Sequence, residues 1–564
     1  MITKGSNLSK PGQNGGKRYT RYVLVGLVVV LVILTTFSHN FTLKDQRSKL
    51  FPGLPGFLGG HKHSKKKNVI FFVSDGMGPA SMSMARSFQQ HTGGFSYDHM
   101  LNLDDFLVGS SRTRSSNSLV TDSAAGATAF SCGLKSYNGA IGMHPDGHPC
   151  GTVLEAAKLQ GYLTGLVVTT RITDATPASF SAHADLRGME QLIAQQQLGE
   201  YELGRMVDLM IGGGRTNFYP NGVQSSPYGI RGSRTDGRDL IKEAIADGWQ
   251  YVGDRDSFDA LSEGKNVELP LLALLADYDI PFDIDRSDSE YPSLKEEAMT
   301  AINALSNASK DSDHGFFLLV EGSRIDHAGH LNDPAAQVRE VIAYDETFKA
   351  VVEFAKQSDV ETVIISTSDH ETGGLVTARQ VSRNYPEYLW YPEVLEKAQQ
   401  SCEYLARKLI QERRTVSEQS DVALSKFIKD EIFRSGLGIE DYTADDVEEI
   451  KSLIDTPGFL MDKLTDMVSV RAQIGWTTHG HSAVDVNIYA YSNRDNSKTH
   501  LLEKLGGNHE NTEIGQFMGR YLDLDLEKVT HMIENTTHVQ ETVSSASSKN
   551  PFEYIPEFQR ELKA

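Results

Sequence analysis

The string Val120-Thr-Asp-Ser-Ala-Ala-Gly-Ala-Thr-Ala129 sets Ser123 directly behind Asp122 and at the head of a run of small helix-forming residues. A serine at a helix N-terminus faces unpaired amide N–H groups and the positive end of the helix dipole, where a phosphoryl group is well received. Taken singly, an Asp-Ser-Ala-Ala string is an ordinary helix cap. Its company gives it weight. Asp326 and His330 are spaced i,i+4 and so share one face of a helical turn, where both can reach one ion. Asp369 and His370 are adjacent, and His479 sits in Thr477-Thr-His-Gly-His481. Asp75 is followed by Gly76 and Gly78, which permit close backbone approach. Carboxylate and imidazole together suit zinc, whereas Glu321, Thr176 and further carboxylates suit a hard ion such as magnesium. Each has an unremarkable reading by itself, since Asp-Gly is commonly a turn and Asp-x3-His is common on solvated helices. Their joint placement is what argues for a site with several metals.

That placement follows from the elements. Short runs, most of them rich in β-branched or aromatic residues, predict strands over Asn68–Val73, Leu163–Thr169, Val207–Ile211, Gly315–Val320, Glu361–Ser366 and Val484–Tyr491, with helical patterns between them. The fold class is α/β, a large and mostly parallel central β-sheet flanked by helices. In open α/β sheets ligands gather beyond the carboxyl ends of the strands. Four such ends lead into Ser74-Asp-Gly-Met-Gly, Thr173-Asp-Ala-Thr-Pro, Glu321-Gly-Ser-Arg-Ile-Asp-His and Ser368-Asp-His-Glu. Residues 380–475 differ: Glu393–Glu412, Ser420–Ser435 and Ala444–Ile454 read as amphipathic, charge-rich helices without an acid–histidine cluster. They read as an insertion that caps the site or builds a subunit contact.

The 564 residues allow an ample core, and a net charge of −20 argues against a nucleic-acid partner. An acidic protein that takes an anionic substrate needs a local positive site, which bound metals supply. Near the N-terminus, basic residues 4–21 precede an uncharged apolar run from Tyr22 to Phe37. Residues 22–43 thus predict a transmembrane signal-anchor helix with 1–21 in the cytosol. No small-x-small cleavage site follows, which favours an uncleaved type II anchor over a signal peptide. Residues 44–67 read as a Pro/Gly/Lys linker, 68–542 as the main domain and 543–564 as a flexible tail. Asn40, Asn307 and Asn535 begin N-glycosylation triplets. Three cysteines, none in CxxC spacing, permit at most one internal disulfide.

Six strings occur in family order: Ser74-Asp-Gly-Met-Gly, Val120–Ala129, Asp174-Ala-Thr-Pro-Ala-Ser, Val320-Glu-Gly-Ser-Arg-Ile-Asp-His-Ala-Gly-His, Thr367-Ser-Asp-His-Glu-Thr-Gly-Gly and Thr478-His-Gly-His. In them the chain resembles the metal-dependent alkaline phosphatases over residues 68–520, and with its anchor it is most similar to the fungal vacuolar members. The resemblance implies broad-specificity hydrolysis of phosphate monoesters through a phosphoserine on Ser123. It implies one zinc ion held by Asp75, Asp369 and His370, a second held by Asp326, His330 and His479, and magnesium with Asp75, Thr176 and Glu321. Arg187 falls at the family's phosphate clamp, with Asp122 holding it. It also implies a homodimer, and a lumenal catalytic domain on the vacuole membrane. Asp174 matches bacterial members and His327 animal ones, a mixed pair beside the magnesium site. Cys150 sits where animal members begin a disulfide, but no partner is evident in the sequence, and Cys132 reads as a small apolar residue packed beside the nucleophile helix. A phosphodiesterase or sulfatase of the same superfamily is the rival enzyme reading. Against it, Ser123 lacks a sulfatase Cys/Ser-x-Pro-x-Arg string, and the diesterases mostly carry threonine as nucleophile. A non-catalytic phosphate binder is the rival from another class.

Overall fold

The sequence Lys67-Asn-Val-Ile-Phe-Phe-Val73 forms strand β1, and its apolar residues are buried on both faces. Ile70 and Phe72 point into one core while Val69, Phe71 and Val73 point into the other. A central parallel strand covered by helices on both faces has no solvent side, so it reads as a continuous apolar run rather than an alternation. Burial of one such large side chain contributes about 1.5–3 kcal/mol. The computed structural model describes residues 66–223, 231–415 and 421–534.

The other strands are β2 (Leu107–Arg112), β3 (Leu163–Arg171), β4 (Leu209–Gly213), β5 (Gln250–Val252), β6 (Leu271–Leu274), β7 (Phe316–Glu321), β8 (Glu361–Thr367), β9 (Glu371–Thr372), β10 (His481–Ser482), β11 (Val486–Ser492) and β12 (Gly507–Glu510). Ten of them form one sheet in the order β12-β2-β11-β8-β1-β7-β3-β4-β6-β5. Its strands run the same way except β11, which is antiparallel to both β8 and β2. All six expected strands are present within a few residues. Strands β8, β1, β7 and β3 are neighbours, so four carboxyl ends meet along one edge. The remaining pair, β9 and β10, forms a separate antiparallel ribbon with His481 opposite Thr372.

Among the described residues of 380–475, which lie between β9 and β10, the regular elements are all helices, the first beginning at Pro392. The expected helix Glu393–Glu412 is two, Pro392–Lys397 and Cys402–Thr415. Ser401 explains the break, because its hydroxyl accepts the Tyr404 N–H at 3.0 Å and so starts a new helix.

The cysteine expectation is corrected. Cys132 and Cys150 form a disulfide with Cα atoms 6.0 Å apart, and buried Cys402 is free. Gly133, at φ 67°, ends the Ser123–Cys132 helix in the left-handed conformation and turns the chain away, and the returning Cys150 amide donates to Gly142 O at 2.9 Å. That return brings the two cysteines together, a relation their linear spacing does not display.

The predicted anchor 22–43, the linker up to residue 65, the terminal tails, Asn40 and Asn535 lie outside the described residues. Among the described residues no helix is long and apolar enough to cross a membrane, and Asn307 is exposed.

Candidate active site

Five of the candidate side chains stand at or soon after the end of a strand. Asp75 follows β1, Thr176 opens the helix after β3, Glu321 ends β7, and Asp369 and His370 follow β8. Helix Arg324–His330 begins three residues after Glu321 and carries Asp326 and His330 one turn apart. Gly76 permits the convergence: its φ is 78°, and a Cβ there would stand 2.5 Å from Asp326 Cα. Gly126 does the same for the helix that Ser123 heads, since a Cβ would stand 2.9 Å from Asp369 Cβ.

Ser123 is the first residue of helix Ser123–Cys132. Asp122 caps it, accepting the Ala125 N–H at 3.0 Å on one oxygen and the Gly139 N–H at 3.0 Å on the other. Ser123 Oγ lies 3.1 Å from His370 Nε2. The same nitrogen lies 3.2 Å from Asp369 Oδ2 and 3.5 Å from Asp75 Oδ1. A serine triad would place serine and acid on opposite imidazole nitrogens. Here three oxygens converge on one nitrogen, as ligands and nucleophile around a shared ion do.

Asp326, His330 and His481 form a second group, and in each group the ligand atoms lie within 4.8 Å of one another. His481 Nδ1 donates to Thr121 O at 2.8 Å, and His330 Nδ1 donates to His479 O. Both rings therefore spend their N–H on carbonyls, which leaves two Nε2 lone pairs facing each other at 3.1 Å. Asp326 Oδ2 is 3.3 Å from His330 Nε2, and Oδ1 is 3.5 Å from His481 Nε2. Two imidazoles oriented by carbonyl partners, with a carboxylate beside them, suit a metal ion.

The expectation for His479 is corrected. Its side chain is 56% exposed, Nδ1 donates to His330 O at 2.8 Å, and Nε2 faces Asp462. The pairing of β10 with β9 turns His481 inward instead, and His481 takes the place expected for His479.

The donor set fits metal ions on a further observation. Among the described residues, the buried atoms Asp75 Oδ1, Asp369 Oδ2 and Thr176 Oγ1 have no hydrogen-bond partner. Burial, and then Asp369, Asp326 and Glu321, push the Asp75 carboxyl well above the usual range. Burial pushes Glu321 up to about 8, although Ser323 donates to it at 2.6 Å. Buried carboxylates packed this closely need a counter-cation to remain ionised. Burial, with His370 beside it, holds His481 well below its ordinary value, so its ring is neutral and free to ligate.

Arg187 reaches Asp174 Oδ1 at 3.0 Å and Asp122 Oδ2 at 3.5 Å. Burial opposes ionisation of Asp174, but Arg171, Arg187 and His327 hold it well below the usual carboxylate range. Burial pushes His327 down to about 4, although Asp279 lies 3.6 Å away. Arg171 and Asp279, which sequence reasoning did not single out, thus belong to the setting of Arg187.

Residues 66–524 match the family described as alkaline phosphatase. The repressible alkaline phosphatase of Saccharomyces cerevisiae is 60% identical, over 92% of this chain and 89% of its own. The alkaline phosphatase of Schizosaccharomyces pombe is 45% identical, over 94% and 92% respectively. Among solved structures, Thermus thermophilus alkaline phosphatase superposes with a TM-score of 0.65 at 29% identity, covering 84% of this chain and 96% of that one. On this match and on the site its strand ends assemble, the chain belongs to the alkaline phosphatase family.

Proposed function

We propose that the phosphate monoester hydrolysis of this family member proceeds through a covalent phosphoserine on Ser123, with broad tolerance of the leaving alcohol. The observation that carries the reading is the convergence of Ser123 Oγ, Asp369 Oδ2 and Asp75 Oδ1 on His370 Nε2. Asp75, Asp369 and His370 would hold one zinc ion; Asp326, His330 and His481 a second; Asp75, Thr176 and Glu321 a magnesium ion. Bound there, the ions supply Lewis-acid polarisation of the ester and favour the ionised form of the attacking hydroxyl.

The chain's own residues do the rest. Arg187 offers a planar fork to two phosphoryl oxygens, and Asp122 and Asp174 fix the plane of that fork before substrate arrives. Ser123 Oγ attacks phosphorus, its new O–P bond forming as the bond to the alcohol breaks. A water then attacks the phosphoserine, restores the Ser123 hydroxyl and frees inorganic phosphate. Asp122 serves both steps, since it caps the helix that presents Ser123 and braces Arg187. The side chains named here address the phosphoryl group rather than what it is attached to, which is the ground for reading broad specificity.

The test is acid quenching of the zinc- and magnesium-loaded protein in labelled inorganic phosphate, followed by peptide mapping. Label on Ser123, its absence in Ser123→Ala, and loss of turnover on chelation with recovery on adding zinc are expected. Label on another residue, or no monoester turnover by the zinc-loaded protein, would sink the reading.

The same proposal includes a type II membrane anchor at 22–43, a lumenal catalytic domain on the vacuole membrane, use of the glycosylation triplets and a homodimer. The apolar run behind basic residues 4–21 supports the anchor. Resistance to alkaline carbonate extraction, lost when residues 1–43 are removed, is the expected outcome. Release of the intact chain by carbonate would overturn the anchor.

A further inference from the structure

Three consecutive residues tie the inserted helices to the loops and helix starts that surround the sheet. The Ser401 N–H donates to Asp285 at 2.9 Å, and the Cys402 N–H donates to Asp333 at 2.8 Å. Glu403 Oε2 then pairs with Arg324 Nη2 at 2.9 Å. Arg324 heads the helix that carries Asp326 and His330, and its guanidinium lies over the Phe282 ring, 3.8 Å from the centroid.

From Arg324 a line of alternating charges runs to the nucleophile. Arg324 Nη1 is 3.4 Å from Asp279 Oδ2. Asp279 Oδ1 accepts from the Arg171 amide at 2.9 Å and from its Nη1 at 2.7 Å. Arg171 Nη2 donates to Asp174 Oδ2 at 2.9 Å, and Asp174 Oδ1 accepts from Arg187 at 3.0 Å. Arg187 in turn faces Asp122, the cap of the Ser123 helix. Asp279, Arg324 and Glu403 are all within a few per cent of full burial. Buried charges interact strongly and cannot be removed singly without a shift of their partners.

We propose that Glu403 is a positioning residue for Arg187, acting through Arg324, Asp279, Arg171 and Asp174. The proposal rests on the reading of Arg187 as the phosphate clamp. Asp279 Oδ2 is shared between Arg324 and His327 Nδ1, which lies 3.6 Å away. Without Glu403, Arg324 loses one of the two carboxylates placed against it here and bears more heavily on Asp279. Asp279 then loosens its hold on Arg171, and the brace behind Asp174 and Arg187 shifts with it. The inserted segment thereby sets phosphate affinity from behind the site, without touching substrate.

The experiment uses the full chain loaded with zinc and magnesium, and inorganic phosphate as the probe. Glu403→Gln is expected to weaken phosphate binding, read by calorimetry and by competitive inhibition, by roughly 2- to 30-fold with zinc content unchanged. Glu403→Asp restores part of the loss, and the effect of Glu403→Gln vanishes in an Arg187→Ala background. Unchanged phosphate affinity in Glu403→Gln, where Arg187→Ala does weaken it, overturns the proposal and leaves the clamp standing. Unchanged affinity in Arg187→Ala overturns the clamp itself. Should Glu403→Gln not fold, Arg324→Lys serves in its place, with the same loss expected; unchanged affinity in that variant overturns the proposal.

Discussion

The rings of His370 and His481 are stacked, with centroids 3.5 Å apart and planes 16° apart. One belongs to the group around Asp75 and the other to the group around Asp326, so the two candidate metal groups share a wall of imidazole. Removing His481 therefore disturbs both.

His481→Ala is expected to lose one zinc ion per chain, weaken the other and abolish most turnover. Loss of a group that only orients a ligand costs roughly 10- to 100-fold, and loss of the ligand itself should cost more. His479→Ala, which removes an exposed ring from the rim, should keep full zinc content. Zinc counted by emission spectroscopy decides between the two histidines, and the reverse pattern would restore His479 to the site.

Arg187→Ala should weaken competitive inhibition by phosphate roughly 10- to 100-fold, the range for charge-assisted hydrogen bonds. Arg187→Lys should recover little, because an ammonium cannot grip Asp122 and Asp174 while presenting a flat fork to phosphate. Full recovery by lysine would show that charge alone suffices there.

The Cys132–Cys150 bond closes a short loop at the far end of the nucleophile helix, across a separation of 18 residues. Denatured protein should show one reactive thiol before reduction and three afterwards. The Cys132→Ala/Cys150→Ala variant should lose about 3 kcal/mol of stability, as for a loop of this size. Three thiols before reduction would mean that the pair is open.

Glu340 is buried, and burial, with Asp283 beside it, pushes its carboxyl up to about 8 from an ordinary 4.5. Between those values the folded state keeps a proton that the unfolded state has lost. The penalty for this group is thus absent below pH 4.5, grows as pH rises to about 8, and is constant above. Glu340→Gln keeps the neutral form, and its amide oxygen can still accept the Asp283 N–H, which Glu340 takes at 2.6 Å. It should match the parent at pH 5 and exceed it at pH 9, by on the order of 1 kcal/mol per unit crossed. Thermal unfolding midpoints at the two pH values check this, and an equal gap at both would refute it.

The central strands were legible because residues such as Phe71 and Phe72 are buried on opposite faces and leave an unbroken apolar run. Strand β2, Leu-Val-Gly-Ser-Ser-Arg, is mostly not buried and carries no such run, and β12, Gly-Asn-His-Glu, is a polar edge. Neither announces itself. Within the site, Asp326 and His330 declare a shared face by their spacing alone. The choice between His479 and His481 depends on a two-residue strand meeting Thr372 from far away in the chain, which no local pattern encodes. Arg171, Asp279 and Glu403 look like ordinary charged residues until the sheet stacks them in one line.

The sheet order also bears on biogenesis. Strand β1 lies between β7 and β8, with Val69 opposite Phe317 on one side and Val363 on the other. Asp75 therefore waits for hundreds of later residues before Asp369 and His370 stand beside it, and His481 comes later still. A sheet built on contacts so distant in sequence is intrinsically slow to form. A chain that has not yet reached His481 lacks one member of the Asp326, His330 and His481 group, so both groups can be complete only after most of the chain has been made.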